Sequence, residues 1–110
     1  MGLPSRIHVL GVPFNIEFAD LEEEGFVGET LGLHRKIRIS KSLDSKRQWT
    51  TLVHEYCHAV FYVMGASSEI PDSVEECMVQ SMEHGIEQLL VQVGAELLKS
   101  YTEELELEGE

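Results

Sequence analysis

Cysteine is scarce in this chain: Cys57 and Cys77 are the only two among 110 residues. Two cysteines can build neither a disulfide framework nor a cysteine-based zinc ribbon. Positive charge is short as well, with 8 lysines and arginines against 20 acidic residues and a formal charge of −12. Loose nucleic-acid binding relies on cations that neutralise phosphates, so this composition suggests no nucleic-acid partner. No apolar run approaches the roughly 18–20 residues of a membrane span. The opening residues, Met1-Gly2-Leu3-Pro4-Ser5-Arg6, lack the basic-then-apolar pattern of a signal peptide, and Arg6 stands where a myristoylation signal carries Ser or Thr. The expectation is a soluble protein of a reducing cytoplasm.

What is present suffices for one compact domain. Hydrophobic residues make up 43% of the chain, enough for a core. We expect a single domain over residues 1–102, followed by a disordered acidic tail over residues 103–110.

Residues 6–19 alternate apolar and polar side chains with a period of two, interrupted at Gly11-Val12-Pro13. Residues 26–33 and Lys36-Ile37-Arg38-Ile39-Ser40 read as two more strands, joined tightly around His34-Arg35. Asp44 or Ser45 is a suitable helix N-cap, and neither proline nor glycine follows until Gly65. Within that stretch Trp49, Leu52, Val53, Tyr56, Val60 and Val63 recur every three or four residues. A second helix is expected from Asp72-Ser73 to about Ser100-Tyr101, with Val79, Met82, Ile86, Leu90, Val93 and Leu97 as its buried stripe.

The first helix carries His54-Glu55-Tyr56-Cys57-His58. Histidines four residues apart share a helical face, about 5–6 Å apart at Cβ, and can bind one metal ion together. The glutamate after the first histidine can then act as a general base. Cys57 points away from both histidines and reads as core, as does Cys77; His8 and His34 read as surface or turn residues.

A catalytic zinc takes three protein ligands and leaves one position for water. The third ligand should come from the second helix. Taking Ile86 as the stripe centre, Glu75 falls about 20° from it and Glu76 about 80° away. A capping box of Ser73 with Glu76 would occupy Glu76 at the helix end, whereas the rival pairing of Asp72 with Glu75 would occupy Glu75. Glu75 is the expected ligand and Glu76 the alternative. Glu83, about 60° from the stripe, is a boundary residue, a partner behind a histidine, or a third ligand.

Thr50 to Val63, Val74 to about Leu90 and the strand at Ile37-Arg38-Ile39-Ser40 together resemble the compact zincin metallopeptidases, in particular the small phage and bacterial ImmA/IrrE-type peptidases. The resemblance implies an α+β minimal zincin-like fold, a small twisted sheet on an active-site helix followed by a long glutamate-bearing helix. It implies Zn²⁺ held by His54, His58 and a glutamate at 75 or 76, with Glu55 as base in peptide-bond hydrolysis. Tyr56, Tyr62, His34 and His84 are candidates for stabilising an oxyanion. A non-catalytic zincin-shaped module acting through a protein partner is the alternative function. Iron or manganese could replace zinc in such a ligand set.

Overall fold

The computed structural model describes the backbone of residues 2–108 and the side chains of residues 2–103. Four strands precede two helices: β1 (Arg6–Val9), β2 (Val12–Ala19), β3 (Gly28–Leu31), β4 (Lys36–Ser40), α1 (Ser45–Val63) and α2 (Asp72–Glu108). The chain is therefore α+β, with a small mixed sheet packed on a helix. The strands lie in the order β1-β2-β4-β3; β2 and β4 are parallel and the other two pairings antiparallel.

Local sequence explains the joints. Leu10 and Gly11 both have positive φ, 50° and 83°, giving the left-handed two-residue turn that matches strand twist. The break in the first hairpin thus falls at Leu10-Gly11, and Val12 and Pro13 already belong to β2. The second expected strand is shorter than its apolar pattern suggests. Residues Gly32–His34 form a 3-10 turn, and Arg35 adopts φ 54° to turn the chain into β4. Glu29 and Arg38 face one another across β3 and β4 and form a 2.6 Å ion pair.

Asp44 caps α1 by accepting the Arg47 N–H at 2.8 Å, and Gly65 follows its end in the left-handed conformation. One side of α1 closes the sheet. Val9, Phe14, Ile16, Ile37, Ile39, Leu43, Leu52 and Ala59 form the main core. A smaller cluster of Cys57, Phe61 and Val79 ties α1 to α2, which confirms Cys57 as a packing residue; Cys77 is exposed instead.

α2 departs from the sequence reading at its far end. It continues to Glu108 rather than stopping near Ser100-Tyr101, so most of the segment expected as a disordered tail is helical. The segment is rich in glutamate and leucine, both strong helix formers, so local propensity outweighs its charge. Gly109 and Glu110 lie outside the described residues. No helix among the described residues is long and apolar enough to cross a membrane.

Ile37 is completely buried in the central strand. Ile37→Ala should lower the unfolding free energy by about 3 kcal/mol, transfer and cavity terms combined. Urea titration checks this; a loss below about 1 kcal/mol would mean that β4 is not central to the core.

Candidate metal centre

The two histidines of α1 sit at the edge of the helix–helix seam, not in its middle. Their rings lie edge to face with centroids 5.0 Å apart. Each ring offers two nitrogens, and α2 supplies a carboxylate for every one. On the inner side, His54 Nδ1 lies 2.8 Å from Glu83 and His58 Nδ1 lies 2.5 Å from Glu75. On the outer side, Glu76 spans both rings, 3.0 Å from His54 Nε2 and 2.9 Å from His58 Nε2. Ser67 donates a hydrogen bond to the other oxygen of Glu75.

His54, His58 and Glu76 thus offer three ligand atoms within 4.8 Å of one another. The chemistry of that set suits a divalent cation of intermediate softness, two imidazoles and one carboxylate. With a metal on the Nε2 side, a carboxylate at each Nδ1 would hold the proton there and leave the Nε2 lone pair for the ion.

Glu75, the expected third ligand, is therefore placed behind His58, and Glu76 takes the bridging position. The phase that puts Glu75 nearest the stripe centre also decides which nitrogen it meets. A residue at the seam centre meets the inner nitrogen of an imidazole, whereas the outer nitrogen is reached from the flank of the stripe. The anticipated capping box at Glu76 also gives way, since the Glu76 carboxylate faces the histidines and the N–H groups of Val74 and Glu75 bond Pro71 O. Glu83 takes the second of the roles open to it, partner behind a histidine.

Glu55 is buried beside this cluster. Thr30 on β3 donates its hydroxyl to both the Glu55 carboxylate, at 2.9 Å, and the Glu55 carbonyl, at 3.0 Å. Burial raises the Glu55 pKa above 4.5; the Thr30 hydrogen bond and the charges of His54 and His58 oppose that rise. For His54, burial disfavours the charged ring, but the Glu83 hydrogen bond and the charges of Glu55 and Glu76 outweigh it and raise its pKa above 6.5.

β3 runs unusually close to α1 here. A Cβ on Gly28 would stand 2.6 Å from the Thr51 methyl, and one on Gly32 would stand 2.5 Å from the Tyr62 ring. Gly28 and Thr30 share one face of β3, with Gly32 just past its end, and Thr51, Glu55 and Tyr62 share the helix face opposite. Neither Thr30 nor Ser67 was singled out from sequence. The alternation of glycine, threonine and glycine was the available signal, since it marks a face that must stay flat.

Two hollows flank Glu55 and His58. One of about 520 Å³ is lined by Phe26, Val27, Gly28, Thr51 and His54; the other, about 250 Å³, by Thr30, Gly32, Tyr62, Ser67 and Glu75. Of the four oxyanion candidates only Tyr62 lines either hollow. Tyr56 faces a groove with Ile7 and Val53, and His84 lines a surface hollow on α2 with Glu87 and Gln88.

Glu75→Gln and Glu83→Gln should each weaken Zn²⁺ affinity by about 10–100-fold, while Glu76→Gln should weaken it by more than either. Chelator competition measures all three. Equal affinity in Glu76→Gln and the unaltered protein would remove Glu76 from the ligand set.

Protonated His54 cannot ligate a metal. Affinity should therefore fall as pH drops through the raised His54 pKa, by about tenfold per pH unit at the steepest. A pH-independent affinity between 5.5 and 8, a range of about 2.5 units, would contradict the assignment. No family model matches the chain, and comparison with curated proteins and with solved structures finds no match.

Proposed function

We propose that this protein is a small zinc-dependent metallopeptidase of zincin type, held by His54, His58 and Glu76, with Glu55 as general base. The observation that carries the reading is a division of labour among four glutamates. Glu76 spans the outer imidazole nitrogens, Glu75 and Glu83 hold the inner ones, and Glu55 is bound to neither ring but fixed by Thr30. A purely structural site leaves no task for a buried carboxylate held in this way.

When bound, the metal supplies Lewis acidity and lowers the pKa of a bound water towards ~7. Glu55 accepts the proton of the attacking water as the carbon–oxygen bond forms. It then hands that proton to the amine nitrogen as the carbon–nitrogen bond breaks. Its raised pKa suits the first half of this exchange, because a more basic carboxylate is a better proton acceptor than an exposed one. Thr30 orients the carboxylate, and Tyr62, which lines the smaller hollow, is the candidate donor to the developing oxyanion.

A peptide is the substrate class that the surroundings favour. β3 is an edge of the sheet and borders both hollows, so an extended chain can add to it as a further strand. Side chains of such a chain point alternately towards and away from α1. The larger hollow, with Phe26 and Val27, suits an apolar residue; the smaller one, with Thr30 and Ser67, suits a small or polar residue.

Glu55→Gln should retain stoichiometric zinc and lower kcat on a cleaved peptide by about 10²–10⁴-fold. Peptide-library digestion followed by mass spectrometry supplies the substrate and the assay. Zinc binding without cleavage of any library peptide would instead make the protein a zincin-shaped binding module acting on a partner.

A further inference from the structure

α1 has 19 residues and α2 has 37, roughly 28 and 55 Å at 1.5 Å per residue. They run antiparallel, with Glu83 opposite His54 and Ile86 beside Val53 and Tyr56. Continued at that rise, the pairing brings the start of α1 opposite about residue 93. The last part of α2 therefore extends beyond the helix it packs on.

The apolar stripe of α2 does not end there. Val79 is buried against Cys57 and Phe61, and Ile86, Leu90, Val93, Leu97 and Tyr101 follow on the same face. Leu89 is 47% exposed, Leu90 52%, Leu98 69% and Tyr101 62%. One apolar hollow of about 480 Å³ lies among Leu90, Gly94, Leu97, Leu98 and Tyr101. A second, about 430 Å³, lies where Ile86 meets Ile7, Val53 and Tyr56, and it carries the stripe onto the body of the domain.

We propose that this stripe is the interface of a homodimer, α2 against α2 of a second copy, antiparallel about a two-fold axis near Gly94. Three observations support a second copy as the occupant. The first is area. Taking roughly 200 Å² for a whole large apolar residue, the exposed parts of Tyr56, Ile86, Leu90, Val93, Leu98 and Tyr101 leave on the order of 600 Å² per copy. The roughly 1,200 Å² covered in total reaches the size of a stable interface.

The second is reciprocity. A two-fold axis at Gly94 sets Leu90 against Leu98 of the second copy and brings Tyr101 of the second copy to Ile86, at the mouth of the other hollow. Gly94 is also otherwise costly inside a helix, by about 1 kcal/mol relative to alanine. An added Cβ there would touch only Leu90 of its own helix, at 3.5 Å, so no packing within the chain requires a glycine. At a crossing point it lets two helix axes approach closely.

The third is charge. α2 carries ten acidic residues against one lysine, Lys99. A parallel pair would align the glutamates from Glu103 onward with one another, whereas an antiparallel pair keeps them at opposite ends. Each copy carries −12, so screening must strengthen the dimer. A cationic partner on the same stripe would show the opposite salt dependence.

This inference does not rest on the metal site. Light scattering behind size exclusion at about 50 µM protein and 0.3 M NaCl should give about 25 kDa, twice the chain mass of 12.4 kDa. The dimer fraction should rise with salt. Leu98→Glu and Tyr101→Glu, both at exposed positions, should return the mass to that of the monomer with unchanged far-ultraviolet circular dichroism and zinc affinity. A monomer at every concentration and salt overturns the proposal. So does a dimer that survives both substitutions, or one that salt dissociates.

Discussion

Four carboxylates converging on two imidazoles set the terms for the rest of the structure. Glu75, Glu76 and Glu83 reach the His54–His58 pair from a single helix, and Glu55 lies buried beside it. Carboxylates gathered this closely repel one another, and the repulsion grows as the site is desolvated. Burial raises the Glu55 pKa; at His54 burial acts against the charged ring, and the Glu83 hydrogen bond with the charges of Glu55 and Glu76 outweighs it and raises the pKa. A divalent cation among His54, His58 and Glu76, the group that could hold one, would relieve the repulsion by attracting the surrounding carboxylates. Beside these polar contacts, the Cys57–Phe61–Val79 cluster packs α2 on α1.

The sheet meets this centre through a second constraint, the flat face of β3. Gly28 and Gly32 let the strand approach α1 so closely that Thr30 can bond both the main chain and the side chain of Glu55. The same approach places Tyr62 against Gly32 and opens a hollow on either side of the base. Sheet and helices therefore divide the proposed chemistry. α1 and α2 hold the metal ligands, while β3 orients the base and offers an edge to an extended substrate.

Much of this was legible from residue order. The motif, the cap at Asp44, the end at Gly65 and the stripe of α2 follow from periodicities that local physics enforces, and the structure contains both helices and four strands where alternation suggested them. Which glutamate spans the outer imidazole nitrogens was not legible, because Glu75 and Glu76 differ by one helical step. Which imidazole nitrogen each meets depends on how far the histidines sit from the seam centre. Thr30 was missed for a related reason: its partner lies 25 residues away, and only the packing of β3 on α1 brings them together. The end of α2 was misplaced because its charge suggests solvation, which a protruding helix satisfies as well as a disordered tail does.

X-ray absorption at the zinc edge tests the central claim most directly, because it reads the atoms around the metal independently of activity. The account predicts one zinc per chain with two imidazole nitrogens at about 2.0–2.1 Å, carboxylate oxygen at about 2.0–2.2 Å and one further light ligand. Loss of the carboxylate contribution in Glu76→Gln, with both imidazoles retained, would complete the assignment. Sulfur scattering at about 2.3 Å, a single imidazole, or a protein that leaves purification and zinc dialysis without bound metal would contradict it.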